Sequence, residues 1–135
     1  MFFYGNNNWK KNKEKKKMII YTDGGGWNGK YSKAIVCTDD KIISEINTNK
    51  KKTNNEMEYE GMIEALTYVL EENIKNAEIR TDSKLIEGQL NKNWKVKAIN
   101  LYYLVEHAKR LKRLTKAKIV WIRREKNKAG HLLEK

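Results

Sequence analysis

The spacing of hydrophobic positions changes several times along this chain, and each change marks an element. Residues 18–23 (MIIYTD) form a short β-rich run that ends at three consecutive glycines, Gly24, Gly25 and Gly26. Residues 31–38 are a second strand candidate; Asp39 and Asp40 suit a tight turn, and residues 41–47 supply the hairpin partner. The period then lengthens to that of a helix. Thr53 or Asn54 can cap a segment running to about Glu72, with Tyr59, Met62, Ile63, Leu66, Val69 and Leu70 on one apolar stripe. Residues 77–82 return to strand character, and Ser83 opens a short helix to about Asn91. A second long amphipathic helix covers 98–114, striped by Leu101, Leu104, Val105, Ala108 and Leu111 and rich in Lys and Arg in its last turn. Residues 118–123 are the last predicted strand and 126–134 the last predicted helix. The order βββ-α-β-α-α-β-α predicts an α/β domain with one mixed sheet over residues 18–135. Residues 1–17 show no sustained period and are expected to be a flexible basic arm, whose Phe2, Phe3, Tyr4 and Trp9 can stack on bases beside phosphate-binding lysines.

Composition narrows the class of partner. With 135 residues and 39% hydrophobic positions the chain suffices for one core. Lys plus Arg number 29 against 17 Asp plus Glu, a net charge of +12 that favours phosphate-rich polymers or anionic surfaces over acidic small molecules. The surplus is uneven: residues 18–88 hold nine basic and thirteen acidic side chains, whereas 89–128 hold thirteen basic against Glu106 and Glu125. An acidic half followed by a basic one is a footprint of nucleic-acid or membrane contact, and by charge alone it is equally compatible with a solvated lysine-rich surface. The single Cys37 excludes an internal disulfide framework and a multi-cysteine zinc ribbon. No run of 18 apolar residues and no signal-peptide pattern occurs, so a soluble cytoplasmic protein with no membrane partner is expected.

Chemistry enters with the carboxylates. Of the four Asp, two sit in the predicted hairpin turn, where local backbone preferences suffice to explain them. The other two, Asp23 and Asp82, each lie at the C-terminal end of a predicted strand, where open α/β sheets collect ligands. Glu58 stands near the start of the first long helix, with the small residues Gly61 and Ala65 at i+3 and i+7 allowing another element to approach closely. Three carboxylates meeting in one crevice would repel unless cations were bound, and an oxygen-only set favours Mg²⁺ or Mn²⁺ over Zn²⁺. By spacing alone, Glu56, Glu58 and Glu60 remain equally compatible with a solvated face.

Four segments, YTDGG (21–25), TNNEMEY (53–59), IRTDS (79–83) and REKNKAG (124–130), occur in the order and spacing of type 1 ribonuclease H, and QLNKNWKVKAINLYYLVEHAKRL (89–111) resembles that family's stretch before its last strand. The resemblance spans about 18–135 and implies a ribonuclease H-like fold, a five-stranded mixed sheet with three antiparallel and then two parallel strands, flanked by helices. It further implies that Asp23, Glu58 and Asp82 ligate two divalent metal ions, Mg²⁺ or Mn²⁺, with Asp23 bridging them. Asn54 and Asn55 would reach the minor groove of an RNA–DNA hybrid, Gly24 would let its backbone lie against the RNA strand, and Ser83 and Lys84 would flank the cleavage site. Thr53 would help bind a DNA-strand phosphate, Trp94 would support the DNA side, and Asn127 is expected among the substrate-binding residues. The implied protein is a monomeric endonuclease that hydrolyses the RNA strand of a hybrid, leaving 5′-phosphate and 3′-hydroxyl ends.

The last motif departs from the family. A fourth Asp usually stands four residues after the Asn equivalent to Asn127, and here that position is His131. His131 is expected as the fourth catalytic ligand, a softer one that favours Mn²⁺ relative to Mg²⁺, with Glu134 as a substitute three residues on. The alternative is a catalytically weakened hybrid-binding module. Residues 123–126 are too few to hold the mobile His loop of many relatives, His107 reads as a surface residue, and Lys92, Lys95 and Lys97 take part of the role of the family's basic handle.

Overall fold

The computed structural model describes residues 16–134 of the protein. The predicted arm, including its four aromatic residues, lies outside them except for Lys16 and Lys17, and Lys17 donates to Glu78 at 3.1 Å. The strands are β1 (Met18–Gly25), β2 (Ser32–Cys37), β3 (Ile42–Thr48), β4 (Ala77–Thr81) and β5 (Lys118–Trp121). The helices are α1 (Asn54–Glu71), α2 (Lys84–Asn91), α3 (Tyr102–Thr115) and α4 (Lys128–Leu133), with 3₁₀ turns at Ile99–Leu101 and Arg124–Lys126. The sheet runs β3-β2-β1-β4-β5. The β1–β2 and β2–β3 pairs are antiparallel, and β1–β4 and β4–β5 are parallel, as the mixed-sheet prediction requires.

Alternation along β1 divides the core between the two faces of the sheet. Ile20 joins Tyr59, Met62, Leu66, Ile79, Ile86 and Val105 beneath α1 and α3, while Tyr21 joins Ile35, Cys37 and Ala129 beneath the short α4. Gly61 is where α1 crosses the sheet: a Cβ there would overlap the Thr22 hydroxyl, so the predicted close approach is real. The predicted stripe of α1 needs one correction. Leu70 is 43% exposed, and Met57, Gly61 and Ala65 complete the buried face instead.

Element ends also shift. The second long helix begins as the Ile99–Leu101 3₁₀ turn, becoming α-helical at Tyr102, and stops where Lys116 takes a left-handed conformation at φ 58°. β5 ends at Trp121, not 123, and a 3₁₀ turn delays α4 to Lys128. Among the described residues no helix is long and apolar enough to cross a membrane.

Candidate active site

The parallel register of β1 and β4 builds the site. Tyr21 pairs with Arg80, so Asp23 and Asp82, each two residues further along, emerge side by side at the carboxyl ends of neighbouring strands. Glu58 comes from the second turn of α1. Thr53 caps that helix with a reciprocal pair of bonds: its hydroxyl accepts from Glu56 N–H at 3.1 Å, and the Glu56 carboxylate accepts from Thr53 N–H at 2.8 Å. The chain leaving β1 is stitched to the same helix start. Gly26 N–H donates to Asn54 Oδ1 at 2.6 Å, and Trp27 N–H donates to the Lys52 carbonyl at 2.8 Å.

Gly24 completes the approach: a Cβ there would overlap the backbone of Met57 and Glu58, and its N–H donates to Glu58 Oε1 at 2.8 Å. One ligand oxygen from each of Asp23, Glu58 and Asp82 lies within 4.8 Å of the others. The spacing that left several glutamates open is thereby resolved for Glu58. Glu56 is committed to the cap, and Lys52 is paired with Glu60.

These carboxylates are electrostatically opposed. Burial, a hydrogen bond with Asp23 and the Asp23 and Asp82 charges push the Glu58 carboxyl up to about 9, against the Gly24 N–H that favours its ionised form. Burial and the charge of Asp82 also raise Asp23, against the bond from Glu58, the Gly24 N–H and the positive charge of Arg124. An oxygen-only cluster whose members oppose one another's ionisation is one that a divalent cation relieves, so the three side chains fit such an ion.

Asp82 is fixed from two sides. Asn127 Nδ2 donates to its Oδ2 at 2.9 Å and to the Thr22 carbonyl at 3.0 Å, while Asn127 Oδ1 accepts from Ala129 N–H at 3.1 Å. This corrects the expectation for Asn127. It is fully buried with both amide groups engaged, so it holds Asp82 and caps α4 and presents nothing to a substrate. At the main chain, Trp121 Nε1 donates to the Asp82 carbonyl at 3.1 Å.

His131 is not brought into the carboxylate group. Its neighbour Gly130 packs against Asp23, where a Cβ would stand 3.0 Å from Oδ2, but His131 and Glu134 are themselves exposed.

The remaining expected residues surround the cluster. Asn54 and Asn55 are exposed on the first turn of α1, one turn before Glu58. Thr53 is exposed as well. Ser83 caps α2, its hydroxyl accepting from Ile86 N–H at 3.1 Å, and Lys84 is exposed as the first residue of that helix. Trp94 lies against Gly88 on the far end of α2 with 45% exposure, and Lys92 Nζ stands 5.8 Å from its ring centroid. Sequence reasoning missed Trp121 and Arg124. Their signal was position, since Trp121 ends the strand beside β4 and Arg124 follows it.

A family described as reverse transcriptase-like matches residues 26–135. Among solved structures, the chain is similar to the N-terminal RNase H domain of a Mycobacterium tuberculosis protein, with 30% identity over 82% of this chain and 85% of that one and a TM-score of 0.68. LC11-RNase H1, isolated from compost by a metagenomic approach, is 32% identical over 86% of this chain and 91% of its own, with a TM-score of 0.68. The chain belongs to the type 1 ribonuclease H family. A structure of LC11-RNase H1 in complex with an RNA/DNA hybrid matches at 28% identity over 86% of this chain and 92% of that one, with a TM-score of 0.66. The ribonuclease H-like sheet thus carries, in this chain, an acidic crevice of three carboxylates, and it is a ribonuclease H-type enzyme of the hydrolase class.

Proposed function

We propose that this protein is a divalent-metal-dependent endonuclease that hydrolyses the RNA strand of RNA–DNA hybrids, leaving 5′-phosphate and 3′-hydroxyl ends. The observation that carries the reading is the convergence of Asp23, Glu58 and Asp82 within 4.8 Å, at the carboxyl end of a ribonuclease H-like sheet. Those three side chains would hold two ions, Mg²⁺ or Mn²⁺. Such ions supply hydroxide near neutral pH and stabilise charge on the departing 3′-oxygen. Asp82 keeps its orientation through Asn127, and Glu58 through the Gly24 N–H. About one helical turn from Glu58, Asn55 presents its amide and Asn54 its Nδ2 group, its Oδ1 being held by Gly26 N–H; both suit the 2′-hydroxyls and base edges of a wide minor groove, which separate RNA from DNA. From Asp82, α2 leads over about 12 Å to the exposed Lys92, Trp94, Lys95 and Lys97, which suit phosphates further along the duplex. The buried Asn127 is a structural support in this scheme.

The test is cleavage of an RNA–DNA hybrid in Mg²⁺ and in Mn²⁺, beside RNA–RNA and DNA–DNA duplexes, with Asp82→Asn as control. Hybrid-selective cleavage that falls at least about 10³-fold in the variant, with hybrid binding retained, is the expected result. Unchanged cleavage by Asp82→Asn would overturn the assignment.

A further inference from the structure

Trp121 belongs to neither hydrophobic core, and 37% of its surface is exposed at the end of β5. A large aromatic side chain in that position has a different set of partners. Its Nε1–H donates to the Asp82 carbonyl at 3.1 Å, and Lys84 Nζ stands 5.0 Å from its ring centroid. One indole therefore contacts Asp82, the first residue of the two-residue turn between β4 and α2, and Lys84, the first residue of the helix after it. Lys84 is the first residue of α2, where the helix dipole disfavours a cation, so its placement is not explained by helix stability. The ring face offers that ammonium a compensating site.

We propose that Trp121 is a positioning residue of the active site, its indole N–H fixing the main chain at Asp82 and its ring holding Lys84 over the substrate backbone. The proposal rests on the hydrolytic reading above. Asn127 orients the carboxylate of Asp82 but cannot fix the peptide that carries it. The β4–β5 ladder continues only to the bond from Ile122 N–H to the Thr81 carbonyl at 2.9 Å, so the Asp82 carbonyl, one residue further, depends on the side-chain donor. Because an aspartate side chain is short, a displaced peptide displaces its carboxylate, and small misplacements of reacting groups cost large factors in rate.

The two contacts separate by substitution. Trp121→Phe keeps a ring beneath Lys84 and removes the N–H; it is expected to lower kcat about tenfold with KM nearly unchanged. Lys84→Met is expected to raise KM several-fold, and Trp121→Leu to lower kcat and raise KM together. If the ring acts through Lys84, KM for Trp121→Leu/Lys84→Met equals that of Lys84→Met alone. A wild-type kcat in Trp121→Phe, or multiplicative KM effects in the double variant, would overturn the proposal. Should Trp121→Leu fail to fold, Trp121→Phe with Lys84→Met carries the test. Wild-type protein that leaves hybrids uncut would instead refute the hydrolytic reading itself.

Discussion

Without divalent ions the carboxylate cluster opposes its own ionisation, so it should cost stability as pH rises. Glu58 has an ordinary value of 4.5 and is pushed up to about 9 in the folded protein. Between those values the folded state retains a proton that the unfolded chain has released. Stability from this group is therefore greatest at the acid end of the window and declines until the folded carboxyl ionises near its upper limit. One retained proton sets a ceiling of about 1.4 kcal/mol per pH unit, or about 4 kcal/mol between pH 5 and 8. Relaxation of the crevice and entry of water absorb part of that, leaving about 2 kcal/mol as the working magnitude.

Glu58→Gln isolates this contribution, because its amide oxygen still accepts from Gly24 N–H while the titration disappears. In EDTA, the Tm of the variant minus that of wild type should grow by roughly 5–10 °C between pH 5 and 8 for a domain of this size. Thermal melts followed by circular dichroism at three pH values measure it directly. Mg²⁺ or Mn²⁺ at pH 8 should raise the wild-type Tm more than that of Glu58→Gln. Parallel Tm–pH curves for the two proteins would refute the argument, since they would show that Glu58 titrates alike in folded and unfolded chains.

Gly24→Ala drives a methyl into the α1 backbone at Met57 and Glu58; a loss of about 3 kcal/mol and of hybrid cleavage is expected, read by chemical denaturation and a gel assay. His131 is exposed and outside the carboxylate group, so His131→Ala should change the ratio of Mn²⁺- to Mg²⁺-supported cleavage by less than about twofold, measured by initial rates. Hybrid binding by Asp82→Asn should weaken at least about tenfold between 50 and 200 mM salt, in filter-binding titrations, and Lys95→Ala should make the log–log slope shallower.

Strand and helix order were legible because burial imposes a period. Alternation in β1 and the 3.6-residue stripe of α1 reflect faces that must be covered, and both appear in the packed core. Parallel pairing of β1 and β4 needs a helical crossover between them, which the element order supplies, but the register that sets Asp23 beside Asp82 is seen only in the folded chain. Errors collected where no period operates. Leu70 is the exception, continuing the stripe of α1 in sequence but turned to solvent beside the buried Val69. The start of α3 and the end of β5 were displaced by 3₁₀ turns, whose short hydrogen-bonded spans leave no hydrophobic signature.

The interior of the site was less legible than its carboxylates for a related reason. A metal-binding cluster announces itself through charge at strand ends, whereas the groups that hold it in place act through single hydrogen bonds. Asn127, in a motif near His131, reads as a polar residue free to meet substrate; only the folded chain shows both its donors spent on Thr22 and Asp82 and its oxygen spent on α4. Trp121 reads as the end of a strand until its N–H is seen on the Asp82 carbonyl. Asp82 is consequently held at both its side chain and its main chain. Both are held by residues forty or so positions later in the sequence, in β5 and at the cap of α4, so substitutions in that C-terminal stretch should alter turnover before they alter the fold.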